Sequence, residues 1–128
     1  MYITIDERDG RPIYKQVVDE IRALIARGEL REGSSLPPVR QVASDLGVNL
    51  NTIAFAYRSL QQDGLIKVKH GSGAVVTSRL LTNKTEELLR VHLRTALTNM
   101  TLAGFNPAEI KSFVNEDLKK LSEPDLAT

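Results

Sequence analysis

Four polar or aromatic side chains recur at helical spacing between positions 51 and 62 of this 128-residue chain. They share one face of a predicted helix whose opposite face is apolar, and they are Asn51, Phe55, Arg58 and Gln62. An asparagine amide can bond the edge of adenine through two hydrogen bonds, and an aromatic ring can touch the methyl group of thymine. This face could therefore read base edges in DNA, although polar residues at this spacing also line ordinary solvated helices.

The start of the same helix supplies further candidates, because the N-terminal residues of a recognition helix are those that reach the bases. Asn49 is a good N-cap, since its side-chain oxygen can accept a backbone N–H. For Asn51 and Thr52 we favour DNA contact over a solvated face. For Phe55 two interpretations stay open, contact with a base and burial in a protein interface.

Two arginines are candidates for contact with the DNA backbone. Arg40 lies in the first turn of the preceding helix, close to where a duplex would pass. We favour a phosphate contact there over the alternative, a surface ion pair with an acid such as Asp45. Arg58 could reach a phosphate from the middle of the recognition helix.

A predicted hairpin follows, and its tip is basic. Lys67, Lys69 and His70 bracket the turn, where cations can reach the minor groove or its phosphates. The alternative is a charged hairpin edge that only prevents aggregation. The turn itself consists of small residues, Gly71, Ser72 and Gly73, which serve turn geometry and allow close backbone approach.

Several elements must position these residues. A β-prone run, Tyr2 to Ile5, precedes a helix with Pro12 in its first turn. A second helix begins near Pro38 and stops at Gly47, and a third begins at Asn49. Strand patterns at 65–69 and 74–77 complete a winged helix-turn-helix, so we predict a mainly α fold with a small β-hairpin wing.

The composition changes to leucine-rich helix after residue 78. Two amphipathic helices are predicted there, with apolar stripes formed by Leu89, Leu93, Leu97 and Met100 on one and by Phe113, Val114, Leu118 and Leu121 on the other. Two such helices cannot bury their own stripes, and pairing with a second copy is the simplest remedy. We predict a DNA-binding domain over 1–78 and a two-helix dimerisation tail over 79–128.

The bulk composition narrows the functional class. The chain has no cysteine and two histidines, so we expect neither a metal site nor a cofactor. It has no glycine-rich phosphate loop or nucleophile elbow, so we expect no enzyme activity. No signal peptide or membrane-length apolar run is present, and we expect a cytoplasmic protein.

The stretch from about Arg11 to Thr77 resembles the DNA-binding domain of the GntR family of bacterial transcription regulators. The matching pieces include Pro12–Gln16, Leu36–Arg40, Leu46–Val48, Asn51–Ile53, Gly64–Leu65 and Gly71–Gly73. The turn at 49–52 and the short tail look like the YtrA subfamily.

The resemblance implies a homodimeric regulator, usually a repressor, often of a transporter operon. A two-fold dimer made by the tail helices would place two recognition helices on one side, so we expect an inverted-repeat operator. It places Arg40, Asn49, Asn51, Thr52 and the wing at His70 and Gly71 at DNA-contacting positions. The family commonly has a long polar or basic residue where this chain has Phe55. The tail is much shorter than the effector domains of larger relatives, so we do not expect a small-molecule effector to bind it. The alternative function is a protein-binding winged helix without sequence-specific DNA readout, which would use Phe55 and the tail.

Overall fold

Helices and a small sheet alternate along the first part of the chain, and two helices follow. The computed structural model describes residues 3–69, 73–77 and 83–122. The first unit, Met1–Arg79, contains α1 (Ile13–Ala26), β1 (Ser35–Leu36), α2 (Val39–Leu46), α3 (Leu50–Gln62), β2 (Ile66–Val68) and β3 (Ala74–Val76). The second unit, Leu80–Thr128, contains α4 (Asn83–Leu102) and α5 (Pro107–Ser122). The predicted fold class, mainly α with a small β wing, is confirmed.

The starts and ends of the first three helices follow from a few residues with strong backbone preferences. Pro12 and Pro38 stand directly before α1 and α2 in an extended conformation, as expected for residues whose ring fixes φ. Gly47 ends α2 with φ +68°, in the left-handed region that glycine adopts at little cost. Two residues later Asn49 caps α3, so the turn of the helix-turn-helix is short.

The sheet has three antiparallel strands in the order β1-β3-β2, which is one strand more than the predicted hairpin. In β1, Ser35 lies opposite Val75 and Leu36 lies opposite Ala74. The sequence did not reveal β1 because it has two residues and its partner lies about forty positions away. Leu36, Ile66, Ala74 and Val76 are buried on the face that meets the helices.

The β-prone run at the N-terminus does not form a strand over residues 3–6. Ile3 and Ile5 instead pack as partly buried side chains against the core. The buried amide of Gln16 holds this segment, because its Oε1 accepts the Asp6 N–H at 3.0 Å and its Nε2 donates to the Asp6 carbonyl at 3.1 Å. The backbone of this segment is thus hydrogen-bonded by the side chain of Gln16 and not by a neighbouring strand.

One apolar core joins α1, α2 and α3 to the sheet. Its most deeply buried large side chains come from α1, α3 and all three strands, and they are Tyr57, Ile21, Leu36, Ile53, Leu60, Ile66, Val17 and Val76. Three of them, Ile53, Tyr57 and Leu60, lie on the apolar face of α3. The opposite face of α3 is consequently turned away from the core.

The second unit is a helical hairpin with little interior of its own. A reciprocal capping box starts α5, since Glu109 N–H donates to Asn106 Oδ1 at 2.8 Å and Asn106 N–H donates to Glu109 Oε1 at 3.1 Å. Of the residues described in this unit, Ile110 alone is buried. None of the helices in the described ranges is long and apolar enough to cross a membrane.

Candidate nucleic-acid interface

The N-terminus of α3 is organised by Asn49. Its side-chain Oδ1 accepts the backbone N–H of Asn51 at 2.7 Å, and its carbonyl accepts the N–H of Thr52 at 3.1 Å. The amide oxygen of Asn49 therefore already accepts one hydrogen bond from the helix cap. Its Nδ2 group is left to donate.

Asn49 and Asn51 are both exposed, but the side chain of Asn51 makes no hydrogen bond with the described residues. Thr52 is half-buried beside it. Both ends of the Asn51 amide are available for a ligand. Of the two asparagines, Asn51 is the one prepared for a bidentate contact with adenine.

Arg40 is exposed in the first turn of α2. Within the described part of the chain it forms no ion pair with Asp45 or any other carboxylate, and this observation favours the phosphate interpretation over the surface ion pair. The start of α2 is itself fixed, because the hydroxyl of Tyr57 donates to the carbonyl of Pro37 at 2.6 Å. The guanidinium of Arg40 thus projects from a position that α3 determines.

Phe55 and Arg58 lie together on the outer face of α3, next to the N-terminal part of α1. The ring of Phe55 meets the ring of Tyr14 edge to face, with centroids 4.7 Å apart. The guanidinium carbon of Arg58 stands 5.8 Å from the Phe55 centroid. Phe55 still keeps 49% of its surface exposed. These residues help to line a shallow recess of about 480 Å³ between the two helices.

The base of the wing is anchored to α3. The side-chain oxygen of Gln61 accepts the N–H of Val68 at 2.7 Å, and Lys69 N–H donates to the Gly73 carbonyl at 2.7 Å. Lys67 and Lys69 are both exposed, as a phosphate-contacting wing requires. The predicted tip residues His70, Gly71 and Ser72 lie outside the described residues.

Gly73 is positioned by a close backbone approach. Its φ is +82°, and a Cβ at this position would stand 2.7 Å from the carbonyl oxygen of Leu36 in β1. No side chain fits there without a shift of the backbone. This glycine is thus required for the pairing of β1 with β3, whatever the wing contacts.

Sequence reasoning missed four residues that position the site: Tyr14, Gln16, Pro37 and Gln61. Gln16 had a detectable signal, since a polar residue interrupts the apolar face of a predicted helix next to Val17. Tyr14 and Gln61 act through partners on other elements, and their sequence positions alone do not identify those partners.

The predicted dimer residues of the tail divide into two groups. Leu97, Met100 and Phe113 are partly covered near the turn of the hairpin, where Phe113 also meets Phe105 edge to face at 5.1 Å. The others are exposed, and they are Leu89, Leu93, Val114, Leu118 and Leu121. The hairpin thus leaves most of its two apolar stripes in contact with water.

Comparison with known proteins matches residues 13–76 to the model of the family described as bacterial regulatory proteins, gntR family. The HTH-type transcriptional repressor YtrA of Bacillus subtilis is 27% identical over 117 residues, which cover 89% of this chain and 90% of that protein.

Solved structures extend the similarity to the fold. A structure titled as a transcriptional antiterminator from Listeria monocytogenes has a TM-score of 0.87, with 28% identity, 98% coverage of this chain and 96% of that one. YtrA from Sulfolobus acidocaldarius, a GntR-family transcription factor, has a TM-score of 0.63, with 43% identity, 75% coverage of this chain and 97% of that one. The DNA-binding domain of AraR in complex with an operator has a TM-score of 0.53, with 25% identity, 60% coverage of this chain and 96% of that one. All these proteins are named for roles in gene regulation, and none is named as an enzyme.

Proposed function

Because this chain belongs to the gntR family of bacterial regulatory proteins, it is a transcriptional regulator, and we propose that it acts as a dimeric repressor bound to operator DNA. The observation that carries the proposal is the family match over residues 13–76, since that range contains the whole helix-turn-helix and the wing. The complex of the AraR domain with its operator supports the same mode of binding.

We infer that α3 enters the major groove with its N-terminus foremost. Asn51 and Thr52 would then meet base edges, and Asn49 would hold the helix cap while its Nδ2 donates to an acceptor. This assignment follows from the free amide of Asn51 and from the occupied oxygen of Asn49. Phe55, farther along the same helix, would contact a base as well.

The cations at the margins of α3 would contact phosphates. Arg40 approaches from the start of α2, Arg58 from the outer face of α3, and Lys67 and Lys69 from the wing. Such contacts release counterions and supply much of the affinity, but they carry no sequence information. We also propose that His70, Gly71, Ser72 and Gly73 bring the wing close to the minor groove.

The tail would make the dimer. Five apolar side chains of α4 and α5 that the hairpin leaves exposed form a surface that a second copy can cover. The structural match with a TM-score of 0.87 covers 98% of this chain, which includes this region. A two-fold dimer presents two recognition helices to one duplex, so the operator would be an inverted repeat. We accordingly propose a head over 1–78, a dimerisation tail over 79–128 and a cytoplasmic location, where the DNA is. We also propose a transporter operon as the target, as the family resemblance of the sequence implies.

The test is selection of bound duplexes from a random library by the full chain at fixed salt, followed by affinity measurements on the selected site. We expect an inverted repeat that is bound at least a thousandfold more tightly than random DNA, within the range typical of specific regulators. Equal affinity for all duplexes would exclude sequence-specific regulation. No observation on the described residues favours the protein-binding alternative.

A further inference from the structure

We propose that Phe55 reads the 5-methyl group of one thymine in each half-site and that Tyr14, on α1, is the residue that positions it. The inference rests on the proposed function, because it requires α3 to lie in the major groove. It adds a specificity contact and a supporting residue outside the helix-turn-helix.

The first step is that Phe55 is held in one place although it is half exposed. Tyr14 meets its ring edge to face at 4.7 Å, and the guanidinium of Arg58 stands 5.8 Å from its centroid. A side chain that is already ordered loses little conformational entropy when it binds.

The second step is that Tyr14 is itself fixed. Its side chain is half-buried and packs against the apolar core of the head, next to the buried residues of α1. A continuous series of contacts therefore runs from the core through Tyr14 to the exposed part of the Phe55 ring. Replacing Tyr14 would leave Phe55 free to change rotamer without removing it.

The third step concerns the chemistry of the partner. Phe55 shares the outer face of α3 with Asn51, and the recess beside it is lined by the cations Arg11, Lys15 and Arg58. Asp19 pairs with Arg11, which leaves Lys15 and Arg58 without a carboxylate among the described residues. The centre of a protein interface is depleted of charge, whereas a duplex offers phosphates beside an apolar methyl group. The exposed ring and the charge around it therefore fit a thymine methyl group flanked by phosphates.

The experiment replaces each thymine of the selected duplex, one at a time, with uracil, which lacks only the methyl group. We expect one thymine position in each half-site to respond. Uracil at that position should weaken wild-type binding about fourfold, which corresponds to the free energy of burying one methyl group. In Phe55→Ala the same pair of duplexes should bind equally. Because each ratio compares two duplexes on one protein, changes in folding or dimerisation cancel.

Tyr14→Leu tests the positioning role, and Tyr14→Phe is its matched control because the ring remains. The measured quantity is the ratio of the affinity for the thymine duplex to the affinity for the uracil duplex. We expect this ratio to fall below about twofold in Tyr14→Leu and to stay at the wild-type value in Tyr14→Phe. If Tyr14→Leu does not fold, Tyr14→Met refills the space with a flexible side chain and serves instead. An unchanged ratio in the folded variant would remove Tyr14 from the mechanism.

A failure of the proposed function and a failure of this inference would give different results. A protein that binds no duplex preferentially contradicts the proposed function. A protein that binds its selected site but responds to no uracil, or whose response persists in Phe55→Ala, contradicts the inference alone.

Discussion

The hydroxyl of Tyr57 donates a 2.6 Å hydrogen bond to the carbonyl of Pro37, and this contact ties the buried face of α3 to the chain just before α2. Arg40 follows three residues later, so the bond helps to set the position of its guanidinium relative to the recognition helix. Burial raises the pKa of the Tyr57 phenol, because the charged form would lose its hydration. The neutral hydroxyl is the form that can donate to Pro37.

Tyr57→Phe should therefore destabilise the head with little change in packing. We expect a loss of about 1 kcal/mol in the free energy of unfolding, the usual net value of one hydrogen bond, since the Pro37 carbonyl loses its donor. Urea denaturation followed by circular dichroism measures this quantity. A variant as stable as the wild type would mean that water replaces the hydroxyl at no cost.

The same residue should make the stability depend on alkaline pH. The folded-state pKa of Tyr57 is raised above the unfolded value of about 10, so the unfolded chain releases the proton first. The stabilising contribution is complete below pH ~10 and is lost as the pH rises above it. Urea midpoints between pH 8 and 11 should fall more steeply for the wild type than for Tyr57→Phe. Parallel declines would contradict the assignment.

Gly73→Ala should disrupt the sheet. An alanine would have to adopt φ +82° and place its Cβ 2.7 Å from the Leu36 carbonyl oxygen. We expect the free energy of unfolding to fall by about 3 kcal/mol, since a left-handed backbone costs about 1–2 kcal/mol and overpacking costs about 1–3 kcal/mol. Gly10→Ala is the matched control, because no atom lies within 4 Å of its Cβ position. Thermal unfolding of the two variants decides the matter, and equal melting temperatures would contradict the prediction.

Local signals predicted the helices well. Proline before α1 and α2, Gly47 after α2 and Asn49 before α3 act through the backbone within a few residues, and each marks the boundary seen in the structure. The capping box of α5 is local in the same way. The recognition face was predictable for the same reason, since helical spacing alone separates it from the core.

Long-range contacts could not be predicted. The pairing of β1 with β3 joins Leu36 to Ala74, and no residue in either strand indicates the other. The contact of Tyr14 with Phe55 likewise crosses about forty positions. The N-terminal segment is β-prone but forms no strand over residues 3–6, because β propensity depends on contacts with a neighbouring strand.

Arg40→Ala should weaken binding to every duplex alike if Arg40 neutralises a phosphate. The slope of log affinity against log salt should become shallower by about one unit per subunit. Lys111→Ala removes the same charge from α5 and should leave the slope unchanged. Fluorescence anisotropy over a series of salt concentrations gives both slopes. An Arg40→Ala slope equal to that of the wild type would place Arg40 outside the interface.

Asn51→Ala should weaken DNA binding, whereas Asn49→Ala should lower the stability of the fold. Asn51→Ala leaves the cap intact. We expect it to lose about 1–3 kcal/mol of binding free energy on the selected site and little on random DNA. Asn49→Ala removes the cap acceptor and should lower the free energy of unfolding by about 1 kcal/mol. Equal losses for Asn51→Ala on both kinds of DNA would make it a positioning residue.

The last prediction concerns the tail, where α4 and α5 expose apolar stripes that one copy does not cover. Leu93 is 55% exposed and Leu118 is 58% exposed, so neither side chain contributes much to the packing of α4 against α5. In a dimer seam, however, a carboxylate at either position would be buried without a partner, at a cost of several kcal/mol per ion. The double variant Leu93→Glu with Leu118→Glu should therefore be a monomer with a folded head.

Sedimentation equilibrium should show this monomer, and circular dichroism should show that its helices persist. The control places the same two charges on the opposite helix faces, as Thr98→Glu with Ser112→Glu, and should remain a dimer. The monomer should bind the selected operator far more weakly, because it presents one recognition helix instead of two spaced by about one helical turn, ~34 Å. If the charged variant stayed dimeric, the seam would lie elsewhere. If the monomer kept the wild-type affinity, the two-headed mode of operator binding would be wrong.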